Sequence, residues 1–210
     1  MIIYYTFDCM YPRNIYSVIN NYIQENKLTF KEAKKIISNS EKIVENILNE
    51  ESGWKRAGVT FQKVNSKRGI EMLTPTTIYI HLTTSSDIDT KFCKGLERMK
   101  TNNLSCANLQ TRNIYLNLDR WFFGSDFDYV HINDYRKYVI NHEMGHALFK
   151  LYHPDCSEIN TGNNFRNLAP VMLQQTYNLC NELLAFNPYP LDDEIKLAIE
   201  NFNKYYKINL

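Results

Sequence analysis

The segment from Tyr135 to His153, YRKYVINHEMGHALFKLYH, constrains this chain more than any other. It contains His142-Glu143-Met144-Gly145-His146, an H-E-x-x-H pattern. On a helix, residues i and i+4 lie one turn apart on the same face, so His142 and His146 can offer two imidazole nitrogens to one metal ion. Glu143, beside the first ligand, is placed to act as a base toward a water on that ion. The flanks suit a helix. Asn133 or Asp134 is the expected N-cap, and Tyr138, Val139, Ile140, Met144, Ala147 and Leu148 give apolar cover on several sides. A helix covered all round is buried, and two imidazoles buried together need a reason. Downstream, His153 and the segment Ala169-Pro170-Val171-Met172 are the residues that bear on a third ligand and a wall for the site.

At 210 residues, with 44% hydrophobic and 22% charged residues, the chain has the length and composition of one globular domain with an ample core. Its formal net charge of +1, with both signs interspersed, points away from a nucleic-acid or anionic membrane partner. The N-terminal MIIYYTFDCMYPRN lacks the basic region and apolar run of a signal peptide, and no stretch approaches transmembrane length. An intracellular location is the default, with secretion by another route left open. The five cysteines, Cys9, Cys93, Cys106, Cys156 and Cys180, form no C-x-x-C pair. In a non-exported protein they would be reduced and buried. Two local pairs, Cys93/Cys106 and Cys156/Cys180, can instead close short loops as disulfides, which leaves Cys9 free.

The periodicity predicts a short strand over Ile2–Phe7 and a helix carrying Ile15, Val18, Ile19, Tyr22 and Ile23. A longer helix follows, capped by Thr29, with Ser40 either breaking it or capping its second half. Val59–Val64, Ile78–Leu82 and Asn113–Leu118 alternate as strands do. Trp121, Phe122 and Phe123 form an aromatic block before Gly124, Pro154–Asn167 reads as irregular, Gln174–Phe186 is ambiguous between helix and loop, and Asp192–Tyr205 reads as a C-terminal helix. There is no repeat, low-complexity tract or linker. The expected fold is one α+β domain over residues 1–210, a mixed sheet packed on helices.

H-E-x-x-H with a third histidine and a downstream methionine turn resembles the metzincin zinc peptidases. More closely, the chain resembles an uncharacterised bacterial family of secreted, metzincin-like peptidase domains. The residues that carry this are Gly53-Trp54, Leu104-Ser105-Cys106, Leu116–Trp121 (LNLDRW), Tyr135-Arg136, Tyr138–Leu148, His153-x-x-Cys156 and Ala169–Thr176 (APVMLQQT). The likeness spans about Ser40 to Pro190 and leaves residues 1–40 uncovered. It implies a twisted sheet, an active-site helix, a Met-turn at Met172, zinc as cofactor, and disulfides at Cys93, Cys106, Cys156 and Cys180. There is one departure. In metzincins the third histidine falls six residues after the second, with a glycine between them. Here those positions hold Tyr152 and Phe149, and His153 comes one residue later. A straight helix would put His153 about 10 Å along the axis from His146, too far to share an ion bound at about 2 Å. Either the helix ends near Lys150 with a longer turn, which makes His153 the third ligand, or the ligand is Tyr152 or a glutamate, Glu182 before Glu158.

The expected function is a zinc-dependent metalloendopeptidase acting on a protein or peptide substrate. His142, His146 and His153 hold the metal, Glu143 is the catalytic base, and Tyr152 or Tyr177 assists at the oxyanion. The substrate pairs with an exposed edge strand, for which Asn113–Leu118 is the choice. The alternative is a catalytically inactive binding module that keeps zinc as a staple. A third option is a metal-free fold in which the histidines are merely buried.

Overall fold

The structure, a computed structural model, describes residues 1–10, 12–64, 74–93, 104–159, 168–175, 184–208 and 210. Its elements are β1 (Ile2–Cys9), α1 (Pro12–Gln24), α2 (Phe30–Leu48), β2 (Thr60–Lys63), β3 (Ile78–Thr83), a single turn α3 (Ser85–Asp87), β4 (Cys106–Asn108), β5 (Asn113–Asn117), α4 (Leu118–Phe123), α5 (Ile132–Ala147) and α6 (Asp192–Tyr206). Five strands form one sheet in the order β2-β1-β3-β5-β4. The first four of these are mutually parallel, and β4 runs antiparallel to β5 at one edge. This is a mixed architecture of helices and a largely parallel sheet, in keeping with the α+β expectation.

Strand alternation sorts the side chains between two faces. Ile3, Tyr5, Ile78, Ile80, Leu82, Ile114 and Leu116 join one core with residues of α1, α2 and α5. His81 and Tyr115 stack on the other face, where Ile88 and Phe92 of the turn after α3 cover them. A disulfide between Cys93 and Cys106 ties that cover to β4. Cys156 is also disulfide-bonded, Cys9 is a free thiol, and Cys180 lies outside the described residues.

Several elements differ from the sequence reading, each for a local reason. Helix α2 runs through Ser40 unbroken. The Ser40 hydroxyl donates to the Ile36 carbonyl (2.8 Å) and accepts from the Trp121 indole (2.8 Å), so a buried serine serves as a tie. The aromatic block, to which the sequence reading assigned no element, is a helix, because the Asn117 side chain ends β5 and accepts from the amides of Asp119 and Arg120, capping α4. The guanidinium of buried Arg136 donates to the Trp121 carbonyl and lies over the Trp121 ring, fastening α4 to α5. Strand β5 is not an edge: β3 pairs with one side and β4 with the other. The choice of Asn113–Leu118 to receive a substrate strand is therefore corrected, and the edge beside α5 is β4. The described ends of Gln174–Phe186 are not helical, and residues 176–183 lie outside the description.

Candidate metal centre

Helix α5 carries the H-E-x-x-H residues, and every residue from Tyr138 to Gly145 is buried. Its cap is His131, whose side chain accepts the Asn133 amide hydrogen at 3.3 Å, rather than Asn133 or Asp134. Its back rests on Trp54, whose indole donates to the Asn141 carbonyl at 2.8 Å and whose ring lies 4.7 Å from that of Phe149.

The helix ends at Ala147, and the chain then reverses. Lys150 adopts a left-handed backbone (φ 56°), and the Leu151 amide donates back to the Gly145 carbonyl at 3.1 Å. For a side-chain-bearing residue this conformation costs about 1 kcal/mol. The Lys150 ammonium offsets it by donating to the Ala147 carbonyl (2.8 Å) and to the Leu109 carbonyl, satisfying the helix end. Burial, with Arg112 nearby, lowers the Lys150 pKa to about 8.

This reversal brings His153 back over the helix. The Nε2 atoms of His142, His146 and His153 lie 3.2 Å (His142–His146), 3.1 Å (His142–His153) and 2.9 Å (His146–His153) apart. A tetrahedral ion with bonds of about 2.0–2.1 Å needs nitrogens about 3.3–3.4 Å apart, so the triangle fits within a few tenths of an ångström. The remaining ring nitrogens fix the tautomers. Nδ1–H of His142 donates to the Val171 carbonyl at 2.8 Å, and Nδ1–H of His146 to the Leu151 carbonyl at 2.7 Å. With those protons committed, both Nε2 atoms point lone pairs at the same spot. Two acceptors 3.2 Å apart repel, and a cation is what such a spot accepts.

The electrostatics agree. Burial first, then the neighbouring imidazoles, hold His142 well below the usual histidine range. Burial lowers His146, and burial together with His146 lowers His153 to about 4. All three imidazoles are therefore neutral at pH 7 and free to offer a lone pair to a metal. Burial also raises the Glu143 carboxyl to about 8. Among the described residues, no other group of three or more His, Cys, Asp or Glu brings ligand atoms as close.

Tyr152 is 71% exposed, whereas His153 brings its Nε2 within 3.1 Å of the other two, which favours His153 as the third metal-binding side chain. Glu182, Tyr177 and the side chain of Glu158 lie outside the described residues. Met172 is buried beneath the helix, where a Cβ on Gly145 would meet its sulfur at 2.3 Å.

The turn bearing Met172 is cross-tied through Tyr138, Gln175 and Glu194. Tyr138 donates its hydroxyl hydrogen to the Leu173 carbonyl at 2.8 Å and accepts from the Gln175 amide at 3.1 Å. The Gln175 side chain donates to the carbonyls of Pro170 and Asn187, and its oxygen accepts the Asn187 amide hydrogen. Glu194 accepts the Val171 and Met172 amide hydrogens. Most of these contacts join segments remote in sequence and follow no local pattern.

No helix among the described residues is long and apolar enough to cross a membrane. No curated protein and no solved structure matches the chain. A model of the family described as "Protein of unknown function (DUF3152)" matches residues 33–202, and over that span, most of its length, the chain belongs to this family.

Proposed function

We propose that the chain is a zinc-dependent metalloendopeptidase of metzincin-like design. The observation that carries this reading is the triangle of three Nε2 atoms, with buried Glu143 next to His142 in the sequence. Three neutral nitrogen ligands leave a tetrahedral ion one open position, the arrangement of catalytic rather than structural zinc. Zinc, when bound, supplies a Lewis acid that polarises a carbonyl and lowers the pKa of a coordinated water to about 7.

The chain's own residues supply the rest. His142, His146 and His153 hold the ion, and two of them are locked in the ligating tautomer by the Val171 and Leu151 carbonyls. Glu143 is buried and, among the described residues, has no hydrogen-bond partner for its carboxylate. Burial pushes its pKa upward and a neighbouring dication would pull it down, leaving a group suited to take a proton from the attacking water and return it to the leaving amine at neutral pH. The outer side of β4 has no strand partner among the described residues, so an extended peptide can pair along Cys106–Asn108. The left-handed residue Lys150 stands three positions before His153. That is the interval between glycine and third histidine in the metzincin pattern, so the extra residue lies between His146 and the turn.

The test is zinc content followed by hydrolysis of a broad peptide library by wild type and Glu143→Ala. The expected result is about one zinc per chain in both proteins and turnover in wild type alone. Wild type that holds zinc but cleaves nothing would move the reading to a zinc-stapled binding module.

A further inference from the structure

The peptide unit that fixes His142 is itself held from behind. Its carbonyl, from Val171, accepts Nδ1–H of His142 at 2.8 Å, and its N–H, from Met172, donates to Oε1 of Glu194 at 2.8 Å. Oε2 of Glu194 accepts the Val171 amide hydrogen (2.9 Å) and that of Leu191 (2.8 Å). One partly buried carboxylate on the first turn of α6 thus takes three backbone donors, two from the methionine turn. No ion pair of Glu194 occurs among the described residues.

Resting on the metal reading above, we propose that Glu194 is a positioning residue for the metal, acting through the Val171–Met172 peptide on His142. A peptide is planar, so fixing where its N–H points also fixes where its C=O points. A charged acceptor on the N–H polarises the peptide and makes its carbonyl the stronger acceptor for the imidazole N–H. The imidazole in turn is oriented and made more basic toward a metal. This is the carboxylate–histidine–metal relay lengthened by one peptide, and outer partners of this kind change metal affinity by about 10–100-fold. Helix α6 is well placed as the anchor. Arg56 binds the Pro190 carbonyl and Asp192 at its start, and buried Ala198 and Phe202 hold its inner face.

Glu194 also caps α6, so the test must separate the two roles. Glu194→Gln puts an NH2 where three N–H donors converge, so at least one loses its acceptor. Arg56→Ala loosens the start of α6 without touching the methionine turn. Zn2+ is titrated against a competing chelator into wild type, Glu194→Gln and Arg56→Ala, and the visible spectrum of the Co2+-loaded proteins is recorded. The expected result is zinc affinity about 10–100-fold weaker in Glu194→Gln with an altered Co2+ spectrum, while Arg56→Ala binds as wild type although its metal-free form melts earlier. If Glu194→Gln does not fold, Glu194→Asp replaces it, keeping the charge on α6 but withdrawing it from the turn by one methylene. Unchanged affinity and spectrum in the Glu194 variant reduce Glu194 to a helix cap and overturn the proposal. So does an equal loss in Arg56→Ala. Wild type that takes up no zinc overturns the metal reading and this inference together.

Discussion

Gly145 and Met172 approach so closely that a Cβ on Gly145 would stand 2.3 Å from the Met172 sulfur and 3.2 Å from the Trp54 ring. The glycine lies between Glu143 and His146, in mid-helix, where glycine costs about 1 kcal/mol relative to alanine. Its absent side chain lets the methionine turn come close enough for the Val171 carbonyl to reach His142.

Gly145→Ala should therefore destabilise the protein although alanine is the better helix former. Overpacking of about 1–3 kcal/mol exceeds the propensity gain, and displacing Met172 also disturbs the turn that orients His142. Urea denaturation and zinc titration measure the two effects. A variant more stable than wild type, with unchanged zinc affinity, would mean that Met172 moves aside freely and the close approach is incidental.

The disulfide between Cys93 and Cys106 joins the cover of the outer sheet face to the edge strand β4. Closing a loop of this length stabilises by about 3 kcal/mol or less. Cys93→Ser with Cys106→Ser should lower the melting temperature and free β4, leaving the α5 histidines in place. Alkylation of the unfolded, unreduced wild type should label Cys9 and spare Cys93, Cys106 and Cys156. Labelling of all five cysteines would remove this bond from the account.

The ligand helix was legible because four-residue spacing on a helix is a geometric fact of the sequence, and the strands because their alternation separates two faces of a sheet. The left-handed turn at Lys150 was legible only as an alternative, since no glycine marks it and a lysine replaces the usual signal with its own ammonium on the helix end. Helix α4 was missed because Leu118–Phe123 is too short for periodicity, and the Asn117 cap that starts it looks from sequence like the end of a strand. The roles of Gln175, Asn187 and Glu194 in supporting the methionine turn were invisible for a different reason. They act through backbone groups of remote segments, which leave no trace in residue spacing.

The pH dependence of the metal-free protein follows from two opposed shifts. His142, His146 and His153 have folded pKa values below the unfolded value of about 6.5, that of His153 being about 4. Below pH 6.5 the unfolded chain binds more protons, so stability falls as pH falls toward 4. Glu143 is raised from 4.5 to about 8, so between those values the folded state holds the extra proton and stability falls as pH rises. Three histidines outweigh one glutamate below about pH 6.5, and by about pH 7.5 their share has faded and Glu143 dominates. Among these four groups the maximum lies near pH 6.5, and Glu143→Gln should remove the decline between pH 6.5 and 8. Urea denaturation in chelator from pH 4 to 9 checks this; an unaltered alkaline limb in Glu143→Gln would refute the buried, protonated carboxyl.

The ligand set makes the most discriminating prediction. His153 reaches the site through the reversal at Lys150, and its Nε2 lies 2.9–3.1 Å from the other two. Tyr152, its neighbour in the chain, is 71% exposed. His153→Ala should lose both zinc and peptide cleavage, because it removes one of three protein ligands. Tyr152→Phe should keep the metal, because a largely exposed phenol contributes little to holding it. Glu143→Ala should keep zinc and lose cleavage, since it removes the proton carrier and leaves the ligands intact. Glu182→Gln, tested alongside, should leave zinc affinity unchanged. Loss of zinc in Glu182→Gln with retention in His153→Ala would instead assign the third ligand to a glutamate. The reversal at Lys150 would then have to carry His153 to the site for some purpose other than ligation.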